Sequence, residues 1–261
     1  MSLPNDSWLR CFHTVPDPVA RLVCCPHAGG SASTFFPLSR ELADRSRVEV
    51  VAVQYPGRQD RREAPMELGI RAMAARIAEE LSAWADRPLS VFGHSMGATV
   101  GYELARVLKA TASPGPDQVI VSGQRSPELQ SSRPVAELDD DALVRELALL
   151  GGTSPELLDD SDVLQMFLPP LRADYAALRA YRHRPEPRLS CPVTALVGAS
   201  DPKVTVEEAA GWSDVTHGPF DLRIFEGGHF YLDTRREEFT DTVTGLLASR
   251  PLHQPKPTPA H

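Results

Sequence analysis

Short apolar runs recur along the chain at residues 21–25, 48–54, 89–93, 118–122, 192–198 and 221–225. Each has the length of a strand, and the near absence of polar breaks is the mark of strands covered on both faces. Between most of them, apolar residues recur every third or fourth position, notably at 36–44, 70–84 and 98–109. That is helical spacing. In the last of these segments Val100, Leu104, Val107 and Leu108 share one face. Strand alternating with helix predicts an α/β fold, a mainly parallel sheet with helices on both faces.

The interval 126–190 breaks this alternation. It is far longer than an ordinary crossover and reads as an insertion. Helical spacing recurs inside it at 138–150 and 163–181, and the second stretch keeps its stripe of Val163, Leu164, Phe167, Leu168, Leu171, Tyr175 and Leu178 across Pro169-Pro170. Two prolines interrupt the backbone ladder while the apolar stripe continues, which predicts a kinked helical lid. Phe167, Leu168, Leu171 and Tyr175 are the candidate substrate contacts, and the competing reading of the stripe is ordinary packing against the sheet. Residues 1–250 therefore read as one domain with a lid insertion. The Pro-rich segment 251–261 cannot build a core and reads as disordered.

Composition narrows the chemistry. With 261 residues and 42% hydrophobic content the chain can bury one large core. A net charge of −8 offers no general attraction to nucleic acid or to anionic lipid. The first residues lack the basic start and apolar run of a signal peptide, and no segment approaches the roughly 20 apolar residues of a membrane span. A cytoplasmic protein with no membrane partner is expected. Cys11, Cys24, Cys25 and Cys191 lack metal-ligand spacing and read as reduced structural thiols, so no metal is expected.

The chemistry centres on Gly93-His94-Ser95-Met96-Gly97, which joins the apolar run 89–93 to the helical segment 98–109. A Gly-x-Ser-x-Gly turn between strand and helix needs small flanking residues and holds its serine exposed above the sheet, so Ser95 is the candidate nucleophile. A serine hydroxyl needs a base, and the base an orienting acid. Asp201 leaves the run 192–198 at the edge where ligands gather in open α/β sheets, and is the candidate acid. His229 follows the last run in a loop that begins Glu226-Gly227-Gly228, and is the candidate base. The chain order Ser, Asp, His is that of α/β-hydrolases. An oxyanion hole needs two backbone N–H groups. Met96 is the candidate for one and Ala28, in Pro26-His27-Ala28-Gly29-Gly30, for the other, with Gly29 as its alternative. His94 reads as structural and pointing away from the serine, and His27 as fixing its loop through a hydrogen bond.

Taken with Tyr55-Pro56-Gly57-Arg58, Ser122-Gly123-Gln124-Arg125-Ser126-Pro127 and Gly228-His229-Phe230, these motifs mark a resemblance. Over roughly residues 11–249 the chain resembles the type II thioesterases of polyketide and nonribosomal peptide synthases, which have the α/β-hydrolase fold. The family more often has a large apolar residue where this chain has Cys25. The resemblance implies a triad of Ser95, Asp201 and His229, an oxyanion hole of Ala28 and Met96, and a mobile lid over the acyl site. It also implies a partner, an acyl or peptidyl carrier domain bearing an acyl-phosphopantetheine, from which aberrant or stalled acyl groups are removed. No cofactor is expected, because the substrate protein carries the phosphopantetheine, and the chain is expected to be a monomer. A stand-alone fatty-acyl thioesterase or carboxylesterase on diffusible substrates is the alternative, and a catalytically silent carrier-binding module the second. Carrier domains of such systems are commonly acidic, so docking on this acidic chain calls for a local basic patch. Arg58, Arg61 and Arg62, with Arg179, Arg182 and Arg184, are the candidates for it.

Overall fold

The computed structural model describes residues 7–66, 69–111, 115–132, 137, 139–152 and 160–249. The segment 251–261, expected to be disordered, lies outside these residues. A seven-stranded sheet runs through the molecule. Its strands are β1 (Leu9–Arg10), β2 (Ala20–Cys25), β3 (Val48–Val53), β4 (Leu89–His94), β5 (Gln118–Ser122), β6 (Val193–Gly198) and β7 (Phe220–Phe225), in the order β1-β3-β2-β4-β5-β6-β7. All neighbours are parallel except β1, which pairs antiparallel with β3. The predicted α/β fold and its strand runs are therefore present. The sequence reading misses β1, because two residues are too short to display a period.

Alternation along the buried strands divides the core. In β2, Val23 and Cys25 join one apolar cluster while Leu22 and Cys24 join another on the opposite face; in β3, Val51 and Val53 separate from Val50 and Ala52 in the same way. Successive side chains of a strand point to opposite faces, so a strand covered on both sides must be apolar throughout. Helices α1 (Phe36–Ser46), α2 (Ile70–Leu81) and α3 (Met96–Ala110) supply the cover. Ile70, Met73 and Ile77 of α2 meet Val100 and Leu104 of α3 on the first face, and Leu38 and Leu42 of α1 lie on the second. Helix α3 lies over the middle of the sheet and is buried on nearly every side.

Between β5 and β6 come α4 (Pro127–Ser132), α5 (Asp140–Leu150) and α6 (Ser161–Ala180). Asp139 caps α5 through the Ala142 N–H, and Asp160 caps α6 through the N–H groups of Asp162 and Val163. Such caps satisfy donors that a helix start leaves unpaired. Helix α6 runs through Pro169 and Pro170, which deprive the Gln165 and Met166 carbonyls of their helical donors. Both residues are exposed, so water can serve those carbonyls.

After β6 the chain forms α7 (Val206–Ala210), β7, α8 (Tyr231–Thr234) and α9 (Arg236–Ala248). The sequence reading names no helix after β7, because α9 carries only a narrow stripe of Phe239, Val243 and Leu247 among polar residues. That stripe completes the second face of the core. Phe239 meets Phe92 edge-on, with ring centroids 5.5 Å apart. Phe239→Ala should lower unfolding stability by about 3–5 kcal/mol, the usual cost of emptying an aromatic core site. Urea unfolding checks it: the midpoint should fall with the slope unchanged.

Candidate active site

Strand β4 ends at His94 and α3 starts at Met96, leaving Ser95 alone to turn the chain. Ser95 has φ 54° and ψ −122°, a backbone state that L-residues rarely adopt. Its N–H donates to the Ser122 carbonyl (2.8 Å), and its own carbonyl accepts from Ala98 N–H (2.9 Å). A Cβ on Gly93 would overlap the Gly97 carbonyl, and one on Gly97 would overlap the Cys25 carbonyl. Glycine is required at both positions because the start of α3 packs directly onto β4 and the end of β2.

Two loops meet beside this elbow. The loop after β6 and the loop after β7 are joined by Ala199 N–H to the Phe225 carbonyl (2.8 Å) and Ser200 N–H to the Gly227 carbonyl (2.9 Å). Asp201 and His229 are thereby brought together, with His229 Nδ1 donating to Asp201 Oδ2 at 2.8 Å. Asp201 Oδ1 accepts from Lys203 N–H at 2.8 Å. The side chains of His229 and Asp201 are 1% and 0% exposed. Because Nδ1 faces a carboxylate it carries the proton, which leaves Nε2 as the acceptor. Nε2 is buried and has no hydrogen-bond partner among the described residues.

His94, expected to be structural, bonds through Nδ1 with Ser122 Oγ (2.9 Å), and Ser122 Oγ continues to Tyr231 OH (2.5 Å). Its ring also lies 4.9 Å from the His229 ring, so it abuts the candidate base. Burial, together with His229 and His27, holds the His94 imidazole well below its usual pKa. His27 corrects the sequence reading. Its Nδ1 is buried with no hydrogen-bond partner among the described residues, so the expected loop-fixing bond is absent there. The ring instead packs against Phe230 at 4.9 Å and so closely against Gly30 that a Cβ there would sit 2.8 Å from Cε1. His27 supports its loop by shape. Burial, with His229 and then Arg58, pushes its imidazole down to about 4.

The loop Pro26–Gly30 closes as a tight turn in which Gly30 N–H donates to the His27 carbonyl (3.0 Å) and Gly29 takes φ 74°. Gly29 N–H donates to Asp174 Oδ2 of α6 at 2.7 Å. That removes Gly29 as an alternative oxyanion donor, since its hydrogen is already engaged. Asp174 is also paired with Arg58, and the two side chains are 4% and 5% exposed. Burial pushes the Asp174 carboxyl up to about 6, against the pull of Arg58 and the Gly29 N–H. Sequence reasoning missed Asp174; its place in the stripe of α6, one position before Tyr175, was the available signal.

The proposed basic patch is corrected in the same place. Arg58 is buried in this pair, and Arg61 is buried with Nη1 donating to the Gln54 carbonyl (2.9 Å) and its guanidinium 4.6 Å from the Trp8 ring centre. Neither can meet a partner. Arg62 is exposed and pairs with Glu63, Arg179 pairs with Glu137, and Arg182 and Arg184 are exposed.

Leu168, Leu171 and Tyr175 of α6 pack with Leu143 of α5 and with Ala28 of the turn, and Leu171 lies directly against Gly29. Lys203, two residues beyond Asp201, pairs with Glu146 of α5 and meets Tyr175 OH at 3.3 Å. Gly152, just past α5, lies against the Phe230 ring. Phe167 differs from the other three candidate contacts. It is 48% exposed and outside this cluster.

A thioesterase domain model matches residues 20–247. The chain belongs to the thioesterase family. It is 43% identical to thioesterase PikA5 of Streptomyces venezuelae over 252 residues, covering 96% of this chain and 89% of that protein. It is 44% identical to a probable cadicidin biosynthesis thioesterase of Streptomyces griseus over 253 residues, covering 97% and 68%. Among solved structures it is similar to the type II thioesterase BorB of the borrelidin biosynthetic cluster, with a TM-score of 0.82 and 41% identity over 95% of this chain and 98% of that one. This thioesterase is thus of the type II kind found in polyketide and nonribosomal peptide clusters, and its fold is that of the α/β-hydrolases.

The corrected roles of the arginines are testable. Arg58→Ala should destabilise the enzyme by about 3–5 kcal/mol, because it leaves the Asp174 charge buried alone. Arg62→Ala should change stability by no more than about 0.5 kcal/mol. Chemical unfolding of the two variants separates a buried partner from a solvated one.

Proposed function

We propose that this thioesterase hydrolyses acyl groups from the phosphopantetheine arm of a synthase carrier domain, with Ser95 as nucleophile, His229 as base and Asp201 as the acid that orients it. The observation that carries this reading is the buried Asp201–His229 hydrogen bond, which leaves Nε2 as an unpartnered acceptor beside the strained elbow. His229 Nε2 takes the Ser95 proton as Oγ attacks the thioester carbonyl. The tetrahedral oxyanion is received by the N–H groups of Met96 and Ala28. Met96 opens α3, where helix geometry leaves an N–H unpaired and the helix dipole favours negative charge. Ala28 fits the second role because the Gly29 and Gly30 amides are both engaged. Collapse of the intermediate breaks the C–S bond, and the pantetheine sulfur leaves with the proton from His229. Water, activated by the same imidazole, then attacks the acyl-enzyme and releases the carboxylic acid and free Ser95.

Helices α5 and α6 form the lid of this reading, and Leu168, Leu171 and Tyr175 are its acyl contacts. Their position around Ala28 supports that assignment. Phe167, on the exposed side of α6, is assigned to the outer rim, where an incoming substrate first meets the lid.

Ser95→Ala should abolish turnover, a loss on the order of a million-fold by analogy with other serine hydrolases, with the melting temperature unchanged. Asp201→Asn should cost about ten-thousand-fold, because the geometry survives with the wrong tautomer. Single-turnover rates on an acyl-pantetheine thioester measure both; a Ser95→Ala rate within tenfold of the parent overturns the assignment. The carrier preference is tested by comparing one acyl group on a carrier domain, on coenzyme A and as a simple ester. The carrier form should give the highest kcat/KM, and equal values would indicate an enzyme of diffusible substrates.

A further inference from the structure

Asp174 lies on α6, far along the chain from the turn it touches, yet its buried carboxylate accepts the Gly29 N–H at 2.7 Å. Its partner Arg58 grips the same turn from the other end, donating Nε to the Gly30 carbonyl (3.2 Å) and Nη1 to the Pro56 carbonyl (2.6 Å). Between these two holds lies the peptide geometry that matters for catalysis. The His27 carbonyl accepts from Gly30 N–H, and that carbonyl shares one planar unit with the Ala28 N–H. In a trans peptide the two groups point in opposite directions, so the Ala28 N–H points away from the Gly30 amide and out of the turn. The next unit, from Ala28 to Gly29, is held among the described residues by the carboxylate on its N–H. Without that acceptor a half-buried donor would lose its protein partner, a cost that the turn can relieve by rotating this central unit. Rotation would change ψ of Ala28 and φ of Gly29, and with them the turn geometry that places the Ala28 N–H as an oxyanion donor.

We propose that Asp174 is a positioning residue for the reaction: from the lid helix it fixes, through the Gly29 N–H and through Arg58, the turn whose Ala28 N–H receives the oxyanion. The inference rests on the serine-hydrolase reading above. Its consequence is that the oxyanion site is complete only while α6 is seated, which ties the position of the lid to the chemical step. The Leu171 side chain, lying against Gly29 on the same helix, adds an apolar contact to this coupling. The pair contributes little to stability in itself, since a buried ion pair roughly balances its desolvation. Its value is geometric.

The test uses the full-length enzyme and two variants. Asp174→Asn keeps an oxygen for Gly29 and loses the charge. The double variant Asp174→Leu with Arg58→Met removes both charges together, so that neither is left buried alone. A small acyl-pantetheine thioester reports kcat and KM. A trifluoromethyl ketone analogue of that substrate, which adds the serine to form a tetrahedral oxyanion, reports the oxyanion site; the matching thioether, which cannot react, reports ground-state binding. In the double variant kcat should fall about a hundredfold, as for loss of an oxyanion donor, with KM and thioether affinity within about twofold. The affinity for the ketone should fall by the same factor as kcat, and Asp174→Asn should show a smaller, equally matched pair of losses. A merely structural role would not move the ketone affinity in step with kcat. Parent values of both quantities overturn the inference, and so does a fall in kcat with ketone affinity unchanged. If the double variant fails to show a cooperative melt, the isosteric Asn variant decides by the same comparison. Ser95→Ala, run alongside, keeps the two claims apart: its activity tests the serine reading, while the Asp174 result bears only on the positioning role.

Discussion

The steric constraint at Ser95 organises the molecule around it. A single residue reverses the chain from β4 into α3 at φ 54°, a conformation that costs on the order of 1–3 kcal/mol and persists only when its surroundings leave no other choice. Those surroundings are specific. The backbone of α3 touches β4 at Gly93 and β2 at Gly97, so the helix cannot lift without opening the centre of the sheet. The apolar strands, the aromatic contacts of Phe92 and the nearly complete burial of α3 therefore serve a local purpose as well as a global one. They hold a strained serine at the edge of a sheet, with its N–H bonded to the neighbouring strand.

Around that serine the polar groups are arranged by burial. Asp201 is held by Lys203 N–H and by His229, so its charge is hydrogen-bonded although the side chain is out of water. His27 and His94, close to the same imidazole, are pushed toward the neutral form by desolvation and by His229 itself. Two neutral rings beside His229 give it rigid walls without a competing positive charge. An imidazole packed this way is held in one orientation, which is the condition under which preorganised dipoles are most effective.

The helical segment between β5 and β6 does more than cover the site. Asp174, Leu171 and Tyr175 of one helix reach, respectively, an amide, a glycine face and Lys203. The bonds from α5 and α6 thus end on the turn after β2 and on the loop after β6 that carries Asp201. This explains why Arg58, which looks like part of a docking surface in the sequence, is buried. The Tyr55-Pro56-Gly57-Arg58 segment supplies the counter-charge for Asp174, the helix residue that holds the Gly29 N–H.

Local pattern made much of this legible from the sequence. The parallel strands could be read because burial on both faces forces apolar residues in succession, and the elbow because only glycine tolerates the backbone approach at 93 and 97. The order of Ser95, Asp201 and His229 along the chain identified the candidate triad, since each follows a recognisable strand. Tertiary structure alone decided the rest. Strand β1 is too short to carry a period, and α9 takes its helical role from the aromatic neighbours of Phe239. His27 acts through the shape of the space it fills. The partnership of Arg58 with Asp174 joins residues 116 positions apart, and no local pattern distinguishes a buried charge with a partner from a solvated one. An arginine's role is set by what lies across from it after folding, which is why the strands and the glycine elbow around Ser95 could be read in advance and the grip on the Pro26–Gly30 turn could not.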